Sequence, residues 1–154
     1  MKKIISIVFL LATQSIYSQV LTWQTFVDSI PTLSSPRPSD LNNDGILDIV
    51  IGGGTEGEIS NSGVMAFDGT NGSLLWKSSS RSELYGSPVF YDVNDDGIED
   101  VFITGREAQF LAFDGNTGTL LWDFFPYEMN PADSGWYNFY NPQLIDDVNS
   151  DGLK

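Results

Sequence analysis

Cysteine and histidine are both missing from the 154 residues. Without cysteine no disulfide can brace the fold, so an exported chain of this composition needs another constraint. Without either residue there is no thiolate or imidazole to hold zinc or copper, and Ser-His-Asp and Cys-His catalysis are excluded. Basic residues are scarce: 7 Lys and Arg stand against 21 Asp and Glu, a formal net charge of −14. A surface of that sign repels nucleic-acid phosphates and anionic lipid and draws divalent cations. No apolar stretch reaches the roughly 20 residues that cross a bilayer. Sustained helical spacing of apolar residues is missing as well.

The amino terminus carries an address. Lys2 and Lys3 precede a largely apolar run from Ile4 to Ala12, and small and polar residues follow to Ser18. That three-part layout is a secretory signal peptide, with cleavage expected between Ser18 and Gln19. The run is too short for a membrane anchor. The mature chain is therefore expected to be secreted or held at the cell surface, with no transmembrane segment.

What the sequence does contain is a recurring acidic loop. Asp92-Val93-Asn94-Asp95-Asp96-Gly97-Ile98-Glu99-Asp100 places oxygen side chains at loop positions 1, 3, 5 and 9, with glycine at position 6. Calcium, a hard cation, is bound in this manner, with the backbone carbonyl at position 7 filling a gap. The glycine takes the positive φ that folds the loop back. The same pattern occupies residues 40–48 as D-L-N-N-D-G-I-L-D, and it begins again at Asp147-Val148-Asn149-Ser150-Asp151-Gly152. The competing reading is a bare acidic turn that shows its carboxylates to water. Like charges crowded into so short a loop repel one another unless a cation neutralises them, which favours the metal.

Other segments repeat with the loops. Ala66–Trp76 reads A-F-D-G-T-N-G-S-L-L-W, and Ala112–Trp122 reads A-F-D-G-N-T-G-T-L-L-W. Trp76 and Trp122 lie 46 residues apart and the first aspartates of the two complete loops 52 apart. A unit of about 50 residues matches one four-stranded propeller blade. In the second unit the apolar runs Pro88–Tyr91, Val101–Thr104, Phe110–Phe113 and Leu120–Phe124 read as four strands, a to d, separated by Asp-Gly turns. The expected fold is all-β, a β-propeller of four-stranded blades. Residues 1–18 are the signal peptide and 19–154 part of a propeller, in units of about 23–76, 76–122 and an incomplete 122–154. Two and a half blades do not close a ring, so the chain is expected to be the N-terminal portion of a longer propeller. The repeated tryptophan on strand d is expected to pack against the neighbouring blade.

The D-x-N-x-D-G-x-x-D loops resemble those of FG-GAP/VCBS-type repeats, the calcium-binding propeller blades also found in integrin alpha chains. The A-F-D-G-x-x-G-x-L-L-W segments are similar to PQQ-like propeller repeats. By this resemblance Asp40, Asn42, Asp44 and Asp48 ligate one calcium ion, and Asp92, Asn94, Asp96 and Asp100 a second. Asp147, Asn149 and Asp151 supply most of a third, and Ile46, Ile98 and Leu153 lend carbonyls. The implied metal role is structural, with dissociation constants on the order of 10⁻⁴ to 10⁻³ M as in other extracellular modules.

Blade topology puts the a–b and c–d loops on one face and the b–c and d–a connections on the other. The second face is expected to carry the longer connections, Gly52–Gly63 and the stretch from Trp122 to Pro142. Trp136, Tyr137, Phe139 and Tyr140 on the latter either stack on sugar rings or fill the space between blades. Gly52-Gly53-Gly54-Thr55-Glu56-Gly57 fits G-x-G-x-x-G, yet no helix follows it to receive a phosphate. Asn71-Gly72-Ser73 is a glycosylation sequon. Function is read as a secreted binding or adhesion module for a glycan or a cell-surface protein, with calcium as its bound ion and no nucleic-acid partner. The alternative is an enzyme on the same scaffold: a polysaccharide lyase or hydrolase or, suggested by the PQQ-like ending alone, a quinone-dependent dehydrogenase.

Overall fold

The computed structural model describes residues 22–125 and 137–149. These residues hold eight strands and no helix. In the first sheet β1 (Arg37–Ser39), β2 (Asp48–Gly52), β3 (Ser60–Phe67) and β4 (Leu74–Ser80) pair antiparallel in chain order. The second sheet repeats this with β5 (Val89–Tyr91), β6 (Asp100–Thr104), β7 (Phe110–Phe113) and β8 (Leu120–Asp123). Each is an up-and-down meander, the form of a propeller blade, and each strand expected in the second unit is present to within one residue.

Even the irregularities recur. Ala66 lies opposite Trp76 and Ala112 opposite Trp122, and after each pair the register slips, setting Phe67 against Leu74 and Phe113 against Leu120. The slip gives the strands a local twist, which directs the following turn back across the blade.

One element runs longer than its composition suggests. Ser60-Asn61-Ser62-Gly63 reads as loop, but β3 already begins at Ser60, and the b–c connection of the first blade is residues 53–59. Ser60 pairs with Ser80 and Val64 with Ser78 across β4. Ser80 donates its hydroxyl to the Ser82 carbonyl at 2.7 Å, and Ser60 Oγ accepts from the Ser62 amide at 3.1 Å. Cross-strand pairing with satisfied hydroxyls overrides the turn preference of these residues.

The core lies where the two blades meet. Val50, Val64, Ala66 and Trp76 of the first blade pack with Leu84, Val101, Ile103, Leu111 and Phe113. Leu41, the second residue of the first acidic loop, is part of this core and 1% exposed. Arg81 pairs with Asp123 across the gap. The two strand-d tryptophans differ from one another: Trp76 packs against the next blade as expected, whereas Trp122 shows 44% of its surface.

Candidate metal loops and the opposite face

The two complete acidic loops fold by one hydrogen-bond scheme. In the first, Asp40 accepts from the Asp44 amide at 3.1 Å and the Gly45 amide at 2.9 Å. Asn42 Oδ1 accepts from the same Asp44 amide at 3.0 Å, and Asp44 from that of Ile46 at 2.7 Å. In the second, Asp92 accepts from Asp96 and Gly97 at 3.2 and 2.9 Å, Asn94 from Asp96 at 3.0 Å, and Asp96 from Ile98 at 2.9 Å. Gly45 and Gly97 adopt φ of 84° and 89°, as the turn at position 6 requires. Position 4 is also left-handed, with φ of 57° at Asn43 and 58° at Asp95; asparagine and aspartate tolerate this region best among residues with a side chain.

Position 9 behaves differently from the rest. Asp48 and Asp100 are fully buried. Asp48 accepts from the Leu41 amide and, across the blade, from the Gly69 amide, both at 2.9 Å. Asp100 accepts from Val93 at 2.9 Å and from Gly115 at 3.1 Å. Each carboxylate therefore joins its own a–b loop to the c–d turn beside it. Burial pushes the Asp100 carboxyl above the ordinary aspartate range; the Val93, Gly115 and Asn94 bonds pull it down, and the Asp114 charge adds to the rise.

The c–d turn is the part of the site that the loop motif does not announce. Thr70 Oγ1 donates to Asp44 at 3.3 Å, and Asn94 Nδ2 donates to Asp114 at 3.2 Å. A signal existed, since D-G-x-x-G recurs in step with the loops. The two loops also touch through Ser39, which precedes Asp40 and donates to Glu99 of the second loop at 2.7 Å.

The donor set is oxygen alone, the chemistry that a hard cation selects and softer metals do not. Asp40, Asn42, Asp44 and the Ile46 carbonyl of one loop, and Asp92, Asn94, Asp96 and the Ile98 carbonyl of the other, suit such an ion. Among the described residues no group of three or more acidic side chains is gathered closely enough to hold a metal by itself. Any ion here therefore draws on the amide and main-chain oxygens as well. In the third copy Asp147 accepts from the Asn149 amide at 3.1 Å, while Asp151 and Leu153 lie outside the described residues.

The opposite face gathers the b–c and d–a connections, as the topology requires. Arg106 donates to Glu83 at 3.0 Å, lies 3.1 Å from Glu56, and sits over the Tyr85 ring at 5.6 Å. Tyr140 packs against Tyr85 with ring centroids 5.6 Å apart and is 75% exposed. Phe139 turns inward against Phe110 and Phe124, filling space at the blade face, while Tyr137 is exposed. Trp136 lies outside the described residues, as does the signal segment. Residues 52–57 lead into a turn and then β3, with no helix at which a phosphate could dock.

Residues 40–103 match the family described as FG-GAP-like repeat, a span that opens on the first acidic loop and closes just beyond the second. No curated protein and no solved structure matches the chain.

Proposed function

We propose that this chain is an exported propeller module that uses calcium as a structural ion and binds a glycan or a surface partner through the face opposite its acidic loops. The observation that carries the reading is the duplicated loop, with oxygen donors at the same positions and the same internal hydrogen bonds in both blades. Calcium there offsets the repulsion among Asp40, Asp44 and Asp48, and among Asp92, Asp96 and Asp100. In a fold without disulfides it ties each a–b loop down.

The binding face follows from what is left exposed. Tyr140 offers an exposed ring with the half-buried Tyr85 beside it, and Arg106, held from behind by the buried Glu83, offers hydrogen-bonding groups together with the exposed Glu56. Stacking on a ring with polar groups at its rim is how sugars are held. Glycan binding without turnover supports the module, and release of reducing ends from a polysaccharide transfers the reading to the enzyme alternative.

Calcium titration followed by tryptophan fluorescence, with magnesium as control, tests the metal role. A calcium-selective change near millimolar concentration is expected, weakened in Asp92→Ala/Asp96→Ala. A flat response from a folded chain reduces the loops to acidic turns.

A further inference from the structure

Each c–d turn is held in place by a tryptophan from upstream. Trp76 donates its indole N–H to the Gly115 carbonyl at 2.7 Å, and its ring covers Gly118, where a Cβ would lie 2.5 Å from the ring. Trp23 treats the first blade in the same way, donating to the Gly69 carbonyl at 2.7 Å and covering Gly72, where a Cβ would lie 2.3 Å from it. Each D-G-x-x-G turn is thus a seat for a tryptophan. The aspartate that opens the turn, Asp68 or Asp114, is thereby fixed beside the acidic loop of its own blade.

The two aspartates use that position differently. Asp114 Oδ1 accepts from both the amide and the hydroxyl of Thr117 at 2.8 Å, which leaves Oδ2 for Asn94 Nδ2 at 3.2 Å. In the first turn an asparagine stands where Thr117 does. Asp68 Oδ1 accepts from the Thr70 amide at 2.7 Å, and Oδ2 from Asn71 Nδ2 at 3.0 Å. Both oxygens of Asp68 are therefore engaged within the turn, and Asn42 Nδ2 has no hydrogen-bond partner among the described residues. Of the first turn's side chains only Thr70 crosses to the loop, onto Asp44.

The difference falls on the amide at loop position 3. Asn94 Nδ2 also reaches Asp100 at 3.4 Å, so two carboxylates hold the nitrogen while Oδ1 stays turned to the Asp96 amide inside the loop. An amide tied down by its nitrogen presents its oxygen to a cation at a smaller entropic cost, and outer partners of this kind tune metal affinity. The second loop is also the more acidic, with Asp95 and Glu99 where the first has Asn43 and Leu47. We propose that the two loops bind calcium unequally, the second more tightly, and that Asp114 is the positioning residue that sets the difference by fixing Asn94. This order of filling presupposes the calcium role proposed above.

Calcium titration of the full chain, followed by NMR at the amides of Gly45 and Gly97, tests each loop separately, because each amide donates to the position 1 carboxylate of its own loop. Gly97 is expected to respond at lower calcium than Gly45. Asp114→Ala is expected to raise the Gly97 midpoint roughly tenfold, the lower end of what losing an outer partner costs, and to leave Gly45 unmoved. Two exchanges that conserve charge, each copying the other blade's turn, separate positioning from charge and from misfolding. Thr117→Asn is expected to weaken the Gly97 response alone, and Asn71→Thr, which frees Asp68, to strengthen that of Gly45. Equal midpoints overturn the proposal. So does a Gly97 midpoint indifferent to Asp114→Ala and Thr117→Asn, which leaves charge alone to set the order. Silence at both glycines in a folded chain is a different failure: it removes the calcium role itself, and the order of filling with it.

Discussion

Asp100 shows how one buried carboxylate is asked to do two things. It holds the amides of Val93 and Gly115 together, and it sits where a charge is costly. Because burial raises its folded value above that of an unfolded chain, the folded state binds this proton more tightly. The stability it contributes is therefore fully present below the unfolded carboxyl range and is lost as pH rises through the raised folded value. In metal-free protein, NMR titration of this carboxyl is expected to give a midpoint above that of aspartate in an unstructured peptide. A midpoint at or below that value removes the argument from burial. The spacing of the loop named Asp48 and Asp100 as members of the site. It could not show that they tie two hairpins together, because Gly69 and Gly115 lie 21 and 15 residues away and their approach is a product of the fold.

At the level of elements, the tryptophan on the last strand of a blade is the join between units. Replacing Trp76 by phenylalanine keeps a large ring in the core but leaves the Gly115 carbonyl without its donor. A loss of about 1 kcal/mol is expected in denaturant unfolding, the usual net value of one hydrogen bond. The same change at Trp122, whose indole N–H has no such partner among the described residues, is expected to cost little. Equal losses at the two positions would mean that the indole bond contributes nothing particular. The strands themselves were legible in the sequence, since Val101–Thr104, Phe110–Phe113 and the Asp-Gly turns punctuate cleanly. The start of β3 was not, because Ser60, Asn61 and Ser62 have loop preferences that only pairing with β4 overturns. The aromatic residues of the last connection divided: Phe139 packs inward while Tyr140 faces outward, a distinction no composition reveals.

Over the whole molecule, net charge dominates. With 21 acidic and 7 basic residues and no disulfide, self-repulsion works against the compact state. Without divalent ions, thermal stability is expected to rise as sodium chloride is increased from about 10 mM, where charges interact over roughly 30 Å, to about 1 M, where the range falls to roughly 3 Å. A melting temperature indifferent to salt would show that the carboxylates are already neutralised by local hydrogen bonding. The tryptophan that covers the turn of the following blade also decides where this chain can be cut and rejoined. A cassette bounded by strands a and d severs Trp76 from Gly115 and leaves both ends raw. One bounded from Trp23 to just before Trp76 carries a seat together with the residue that fills it. Anyone duplicating or shuffling these units should therefore place the splice one strand out of phase with the visible blade, so that each inserted copy arrives already capped.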